Sequence, residues 1–340
     1  MLYGGVIADR IPRRRMLLIT QTTMMILAFI LAALTFSGRI QAWHIIILAL
    51  CLGTSNAFDA PARQAFVTEL VDREDLSNAI ALNSTMFNTA TVLGPALAGI
   101  TYAAFGPQWC FTINALSFIA VILALSFMHL KPFQVPPTQN PILVDLKNGF
   151  RYIIHQPEIR VIILNLGMVS LMGMGFVTLM PAWSVKILSG NAATNGYLFS
   201  ARGFGALSGA LMIASLGRIS FKGKLLTIGS FSMPIFLLLF SFSRWLPISI
   251  ITLMGVGWGF MVIANMSNTL VQTNITDDLR GRVMGIYTLT FFGLMPIGSL
   301  INGAIATRIG PPLTVQLNTL ILLAFATLIL LRFPSLRKLE

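Results

Sequence analysis

The sequence predicts an all-α membrane protein that crosses the bilayer about ten times. Three observations predict it. Of the 340 residues, 56% are hydrophobic and only 10% are charged, whereas soluble domains carry roughly 25% charged residues. The mean hydropathy is +0.81. Long apolar runs recur along the chain. Most are apolar on every face, unlike the helices of a soluble bundle. They also lack the two-residue alternation of a barrel strand.

A helix needs about 20 apolar residues to cross the hydrocarbon layer. The first run, 16–36, follows the basic cluster Arg13-Arg14-Arg15. The second, 43–62, contains Asn56 and closes on Asp59-Ala60-Pro61. The third, 77–104, comes after the acids Glu69, Asp72, Glu74 and Asp75 and carries Gly94-Pro95 and Gly99. Acids in that position are expected to cap a helix start rather than hold a metal, because Arg73 interrupts them and no histidine is near. The fourth run is 109–129.

A linker follows, 130–159, with Pro132, Pro136, Pro137 and Pro141. Its second part repeats Ile142, Leu146, Phe150 and Ile153 at helical spacing, opposite Asp145, Lys147 and Arg151. That pattern predicts a short helix along the membrane surface. The linker divides an N-terminal half, 1–129, from a C-terminal half, 160–340.

Six runs complete the chain, at 160–183, 195–216, 225–243, 247–271, 282–305 and 312–332. The first of these holds Met172 and other methionines, and the fourth holds Trp258, Met261 and Asn265. Thioethers and aromatics suit a cavity for bulky apolar ligands, and they are also ordinary filler. Arg202 is the basic residue inside a span. It either snorkels to the outer surface or faces the cavity and binds an anionic group. Gly203-x-Gly205 and Gly255-x-Gly257-x-Gly259 lie within spans and follow no strand, so close helix packing explains them better than nucleotide binding.

The net charge of +12 is compatible with nucleic acid or with basic loops at a membrane. The distribution decides for the loops, and no nucleic-acid partner is expected. Arg39, Lys186, Arg244 and Arg308 fall on one side, Arg202 lies inside a span, and the rest of the 23 Lys and Arg gather on the N-terminal side. Basic loops face the cytoplasm, so both termini are expected there. Cys51 and Cys110 give neither a disulfide framework nor a Cys-rich metal site.

The opening reads Gly4-Gly5-Val6-Ile7-Ala8-Asp9-Arg10-Ile11-Pro12-Arg13-Arg14. It resembles the G-x-x-x-D-R-x-G-R-R loop between helices two and three of major facilitator superfamily transporters. Gly5, Asp9, Arg10, Arg13 and Arg14 match, and Pro12 replaces the second glycine. The stretch from Asp59 and Arg63 to Ser84 resembles the region between helices four and five in the enterobactin-exporter and macrolide-efflux branch. Gly94-Pro95-Ala96-Leu97-Ala98-Gly99 resembles the antiporter motif, with Ala90 in place of an earlier glycine. Packing kink and exporter signature are both open for it. Arg280-Gly281-Arg282 resembles the start of helix eleven. A weaker echo of the opening loop, Gly217-Arg218 with Lys222 and Lys224, fits two repeated halves.

The resemblance implies the major facilitator fold with ten of the usual twelve helices, four plus six. It implies an inner-membrane secondary transporter, a proton-coupled exporter of a siderophore, drug or other amphipathic metabolite, working by alternating access. It implies that Asp9 faces the helix starting near Arg282 and that a loop arginine pairs with Asp59; the alternative is a plain topology signal. Cavity candidates are Asn56, Met172, Arg202, Trp258, Met261 and Asn265. The partners implied are the lipid bilayer, a small-molecule substrate and a proton. No enzyme, metal site or cofactor is expected: the histidines are scattered and no G-x-x-x-x-G-K-[ST] loop is present. Because the family's first two helices find no counterpart here, the second expectation is a truncated remnant that does not transport.

Overall fold

The computed structural model describes residues 12–70, 75–128, 142–216, 221–275 and 277–339, and all regular structure among them is helical. The first four helices are α1 (Arg13–Phe36), α2 (Ala42–Leu70), α3 (Leu76–Phe105) and α4 (Pro107–Phe127). Next come α5 (Ile142–His155), α6 (Pro157–Met168), α7 (Met180–Lys186) and α8 (Ala192–Ser215). The last are α9 (Lys222–Phe242), α10 (Leu246–Thr273), α11 (Asp277–Ile309) and α12 (Pro311–Arg332). A π turn, Val169–Gly173, and a 3-10 turn, Gly175–Leu179, join α6 to α7; a second 3-10 turn, Pro334–Lys338, follows α12. Among the described residues nine helical stretches are long and apolar enough to cross a membrane, with Pro157–Lys186 counting as one. The remaining predicted span is α3, a helix of 30 residues.

Helix starts follow local chemistry. Proline opens α4, α6 and α12, where its missing N–H costs nothing. A reciprocal capping box of Asn191 and Thr194 opens α8.

Three elements differ from the sequence reading. Helix α2 does not stop at 62 but runs to Leu70, straight through Pro61. Ala60, Ala62, Arg63 and Ala65 are good helix formers, and they carry the helix past the end of its apolar run. Asp75 sits at the N-cap of α3 but makes no side-chain cap hydrogen bond; Asp72 and Glu74 lie outside the described residues. The predicted single span 160–183 is broken at 169–179.

The chain forms two compact units, Met1–Phe87 with Ile100–Gln139, and Asn88–Gly99 with Asn140–Glu340. In the first, α1 packs on α2 and α4. Its buried stripe is Met16, Leu17, Thr20, Gln21, Met24, Ala28 and Ala32, at three- and four-residue spacing. Met16 and Leu17 join Ala62, Phe66 and Leu125 in a small core.

In the second unit α10 packs against both α8 and α9, and α9 packs on α12. The break between α6 and α7 is seated on α11. A Cβ at Gly298 of α11 would collide with the Leu171 carbonyl, and one at Gly175 would collide with Asn302. The two backbones meet without side chains between them, which a regular helix at 169–179 would not allow. Nearby, Asn302 donates to the Gly298 carbonyl at 2.7 Å, and Asn318 of α12 donates to Asn302. Beyond the break, Trp183 of α7 stacks on Phe240 with ring centres 4.5 Å apart.

Helix α5 is present at 142–155. It lies against α11, with Gly149 facing Arg282 and Ile286 and with Ile153 buried, while Phe150 points outward. The side chains of Ile142, Asp145, Leu146 and Lys147 lie outside the described residues. Large apolar side chains cover the exterior, among them Phe127 at 75%, Leu300 at 75% and Leu331 at 74% exposure. Only a hydrocarbon solvent accommodates so continuous an apolar surface.

Candidate functional site

Two constellations of the predicted residues stand out, one in each unit. In the first, Asp59 of α2 is 3% exposed. Thr20 and Gln21 of α1 each donate to its Oδ1 at 2.8 Å. Arg63, one turn further along α2, donates to Oδ2 through Nη2 at 2.6 Å and through Nε at 3.2 Å. Four donors fill the acceptor sites of the carboxylate. This lets it persist as a buried charge, because a paired and hydrogen-bonded ion avoids most of the desolvation penalty. Arg63 thus brings a cation to Asp59 from the same helix; Arg10 of the opening loop lies outside the described residues.

Arg14 is engaged elsewhere in the same unit. Its Nε donates to the Leu125 carbonyl at 2.7 Å and its Nη2 to the Ser126 carbonyl at 2.5 Å. These belong to the last turn of α4, whose carbonyls have no partner within the helix. A cation there also suits the helix dipole. Arg13 opens α1. Gly5, Asp9 and Arg10 lie outside the described residues, and so does any contact between Asp9 and the start of α11. Arg282 sits in the second turn of α11, where its backbone faces Gly149 of α5. The side chains of Arg280 and Pro95 lie outside the described residues. A methyl placed on Gly94 would have no described atom within 4 Å, whereas one on Gly99, in the second unit, would stand 2.9 Å from the Ala192 carbonyl.

The second constellation surrounds Arg202. Helix α8 starts at Ala192, so Arg202 lies about 15 Å along its axis. That is half of the roughly 30 Å hydrocarbon layer. Its Nε is buried and bonded to nothing among the described residues. Its guanidinium carbon stands 5.9 Å from the centre of the Phe199 ring. The backbone beneath it is pinned, because a Cβ at Gly257 of α10 would collide with the Arg202 carbonyl. Small residues allow this approach of two membrane helices. Trp258 and Met261 flank Gly209 on the same α8–α10 contact, 3.1–3.4 Å from a methyl placed there.

The structure therefore brings Arg202, Trp258 and Met261 onto one helix pair. Asn265 follows one turn on, with its amide donating to the Met261 carbonyl at 3.1 Å. Met172 is in the π turn, half-buried. Asn56 belongs to the first unit, is exposed, and donates to the Leu52 carbonyl at 3.0 Å. Sequence reasoning missed Thr20 and Gln21. The signal was an amide and a hydroxyl adjacent in an otherwise greasy run. It also missed the Asn302–Asn318 pair on neighbouring helices.

Apolar helices in two units, with a buried carboxylate paired within the first and buried amides within the second, define a multi-pass membrane transporter of the major facilitator type. More particularly, the chain belongs to the transmembrane secretion effector family, whose model matches residues 1–340. Among its relatives, the staphyloferrin A transporter of Staphylococcus aureus (strain NCTC 8325 / PS 47) is 28% identical over 313 residues, covering 91% of this chain and 77% of that protein. The enterobactin exporter EntS of Salmonella typhi is 27% identical over 348 residues, covering 99% and 81%. The fold is also that of a POT family transporter crystallised with a thioalcohol-conjugated peptide, with TM-score 0.76, 11% identity and coverage of 98% and 84%. A bacterial homologue of the human lysosomal transporter Spinster gives TM-score 0.70, 13% identity and coverage of 98% and 86%.

Proposed function

We propose that this protein exports an anionic, amphipathic small molecule of the siderophore type across the inner membrane, by alternating access and at the expense of a proton gradient. The observation that carries the reading is Arg202, a cation about halfway through a span with a buried, unbonded Nε. A charge at such depth is costly unless a partner serves it, and intramembrane ionisable residues mark substrate paths by default. A carboxylate or catecholate on the substrate supplies that partner. Trp258 and Met261 on the facing helix offer it an aromatic and a pliable thioether surface. Relatives named for staphyloferrin A and enterobactin support the substrate class.

In this reading the opening loop, with Asp9, Arg10, Arg13 and Arg14, closes the cytoplasmic side, and Asp59 and Arg63 stiffen that end. Both termini lie in the cytoplasm. Export of a carboxylate siderophore from cells producing the protein, compared with Arg202→Gln, Arg202→Lys and Asp9→Asn, tests it. Arg202→Gln is expected to lower export at least tenfold with normal membrane levels of protein, while Arg202→Lys keeps part of it. Asp9→Asn is expected to slow export, and an uncoupler to stop it. Undiminished export by Arg202→Gln refutes the anion site. Absence of export by the unaltered chain refutes the transporter reading and favours a remnant.

A further inference from the structure

The face of α8 that carries Arg202 holds a second orphaned group. Asn195 stands seven residues before Arg202 in the same helix. Seven residues make two turns to within about 20°, so the two side chains share one stripe, with about 10 Å of rise between them. The Oδ1 of Asn195 is buried and accepts nothing among the described residues. Capping does not explain it, because Asn191 and Thr194 already close the start of α8. Other amides on the spans are satisfied within their own helices: Asn56, Asn265 and Asn302 each donate to the carbonyl four residues earlier. Ser200 Oγ is also buried without a partner among the described residues, but it lies on another side of α8, and a hydroxyl reaches a carbonyl of its own helix by a single rotation.

Phe199 lies between the two, one turn after Asn195 and three residues before Arg202. Side chains on a helix lean towards its start, and the Arg202 guanidinium accordingly stands at the Phe199 ring, 5.9 Å from its centre. From the start of α8 the stripe therefore reads as an acceptor, a half-buried ring and a cation. Asn195 is itself half-buried, about 5 Å along the axis from Ala192. The two ends lack different things. Arg202 Nε needs an acceptor, and a guanidinium favours a charged one. Asn195 Oδ1 needs a donor, because an amide oxygen only accepts. The guanidinium rests at Phe199 and does not bond Asn195, so both polar atoms are left for a ligand.

We propose that Asn195 and Arg202 are the two ends of one subsite: a carboxylate binds Arg202, a flat apolar segment crosses Phe199, and an O–H or N–H group donates to Asn195 Oδ1. This rests on the reading of Arg202 as an anion site and narrows it. The substrate class becomes an amphipathic carboxylate with a neutral hydrogen-bond donor within about 10 Å of its charge. An analogue without the donor leaves the buried oxygen of Asn195 unpaired and binds less well. Phe199 adds a ring face against which an aromatic segment stacks.

Equilibrium binding of three probes to the purified full chain in lipid nanodiscs tests this without a transport measurement. Cinnamate carries the carboxylate and the flat segment. 4-Hydroxycinnamate adds a phenolic O–H at the far end, and 4-methoxycinnamate has that oxygen without its proton. 4-Hydroxycinnamate is expected to bind about threefold to tenfold more tightly than the other two, the worth of one hydrogen bond. Asn195→Leu is expected to bring it down to the level of cinnamate, and Asn195→Gln, which keeps an acceptor, to retain part of the preference. The comparison with 4-methoxycinnamate needs no variant, so it stands even if Asn195→Leu does not fold. Ser200→Ala, on the other side of α8, is expected to change nothing. Arg202→Gln is expected to weaken all three probes by about tenfold or more. Equal binding of the three probes with the Arg202 dependence intact overturns this proposal and leaves the anion site standing. A preference that survives Asn195→Leu overturns it as well, as does an effect of Ser200→Ala equal to that of Asn195→Leu. Binding that needs Asn195 but ignores Arg202 breaks the pairing and refutes the anion site with it. No binding of any probe by the unaltered chain overturns both.

Discussion

Asp59 illustrates how a buried charge is held at the scale of one residue. Its two oxygens take four donors, two from α1 and two from Arg63. Removing the carboxylate leaves the Thr20 hydroxyl and the Gln21 amide buried without their acceptor, while the Arg63 side chain, 59% exposed, keeps its hydration. Asp59→Ala is therefore expected to destabilise the protein by about 1–3 kcal/mol. Arg63→Gln is expected to cost no less, because it leaves the Asp59 carboxylate, 3% exposed, buried without this cation. Thermal unfolding in detergent, followed by helix loss, checks the order; a clearly smaller loss for Arg63→Gln than for Asp59→Ala contradicts it. The sequence made Asp59 legible, since an acid at the edge of an apolar run needs a partner. It did not reveal which donors would come, because Thr20 and Gln21 reach it only after α1 and α2 have packed. Arg202 was legible in the same way, as a charge where none is cheap. Its depth was not, because that depends on where α8 starts, at Ala192 rather than 195.

Between elements, the decisive contacts in the second unit are bare backbones. Gly257 meets the Arg202 carbonyl with no room for a methyl, whereas Gly53 on α2 has no described atom within 4 Å of such a methyl. Gly257→Ala forces α8 and α10 apart and is expected to cost about 1–3 kcal/mol as overpacking. Gly53→Ala is expected to be neutral or stabilising by up to about 1 kcal/mol, because alanine is the better helix former. Unfolding midpoints of the two variants check this, and a loss for Gly53→Ala equal to that of Gly257→Ala would remove the packing argument. The positions of the spans were legible because hydrophobic run length is nearly a direct readout of bilayer thickness. The break at 169–179 was not. Val169, Leu171, Met172 and Phe176 are as apolar in a π or 3-10 turn as in an α-helix, so composition is blind to it. What sets the break is Gly298 on α11 pressing against Leu171, a contact more than a hundred residues distant in sequence. The overrun of α2 to Leu70 was hidden for the opposite reason: Pro61 and the following charges look like a loop, yet alanines carry the helix through them.

For the molecule as a whole, the governing quantity is the sidedness of its charge. Arg39, Lys186, Arg244 and Arg308 are the basic residues in the loops on one side, while the N-terminal side holds most of the 23 Lys and Arg. Juxtamembrane basic residues resist transfer across the inner membrane, so the crowded side is expected to stay in the cytoplasm. Arg14 caps the end of α4, and Arg332 stands in the last turn of α12. Each cation thus stands at a helix end whose dipole favours positive charge. Single cysteines in a Cys51→Ala, Cys110→Ala background, labelled with a membrane-impermeant maleimide, test the result. Ser37→Cys, Arg244→Cys and Arg308→Cys are expected to react in intact spheroplasts. Arg15→Cys and Arg332→Cys are expected to react only after lysis. Labelling of Arg15→Cys in intact cells would invert the chain, and labelling of Arg332→Cys alone would mean an odd number of crossings. Either result breaks the link between charge sidedness and the placement of the opening loop. That loop could then not act as a cytoplasmic gate, whatever Arg202 binds.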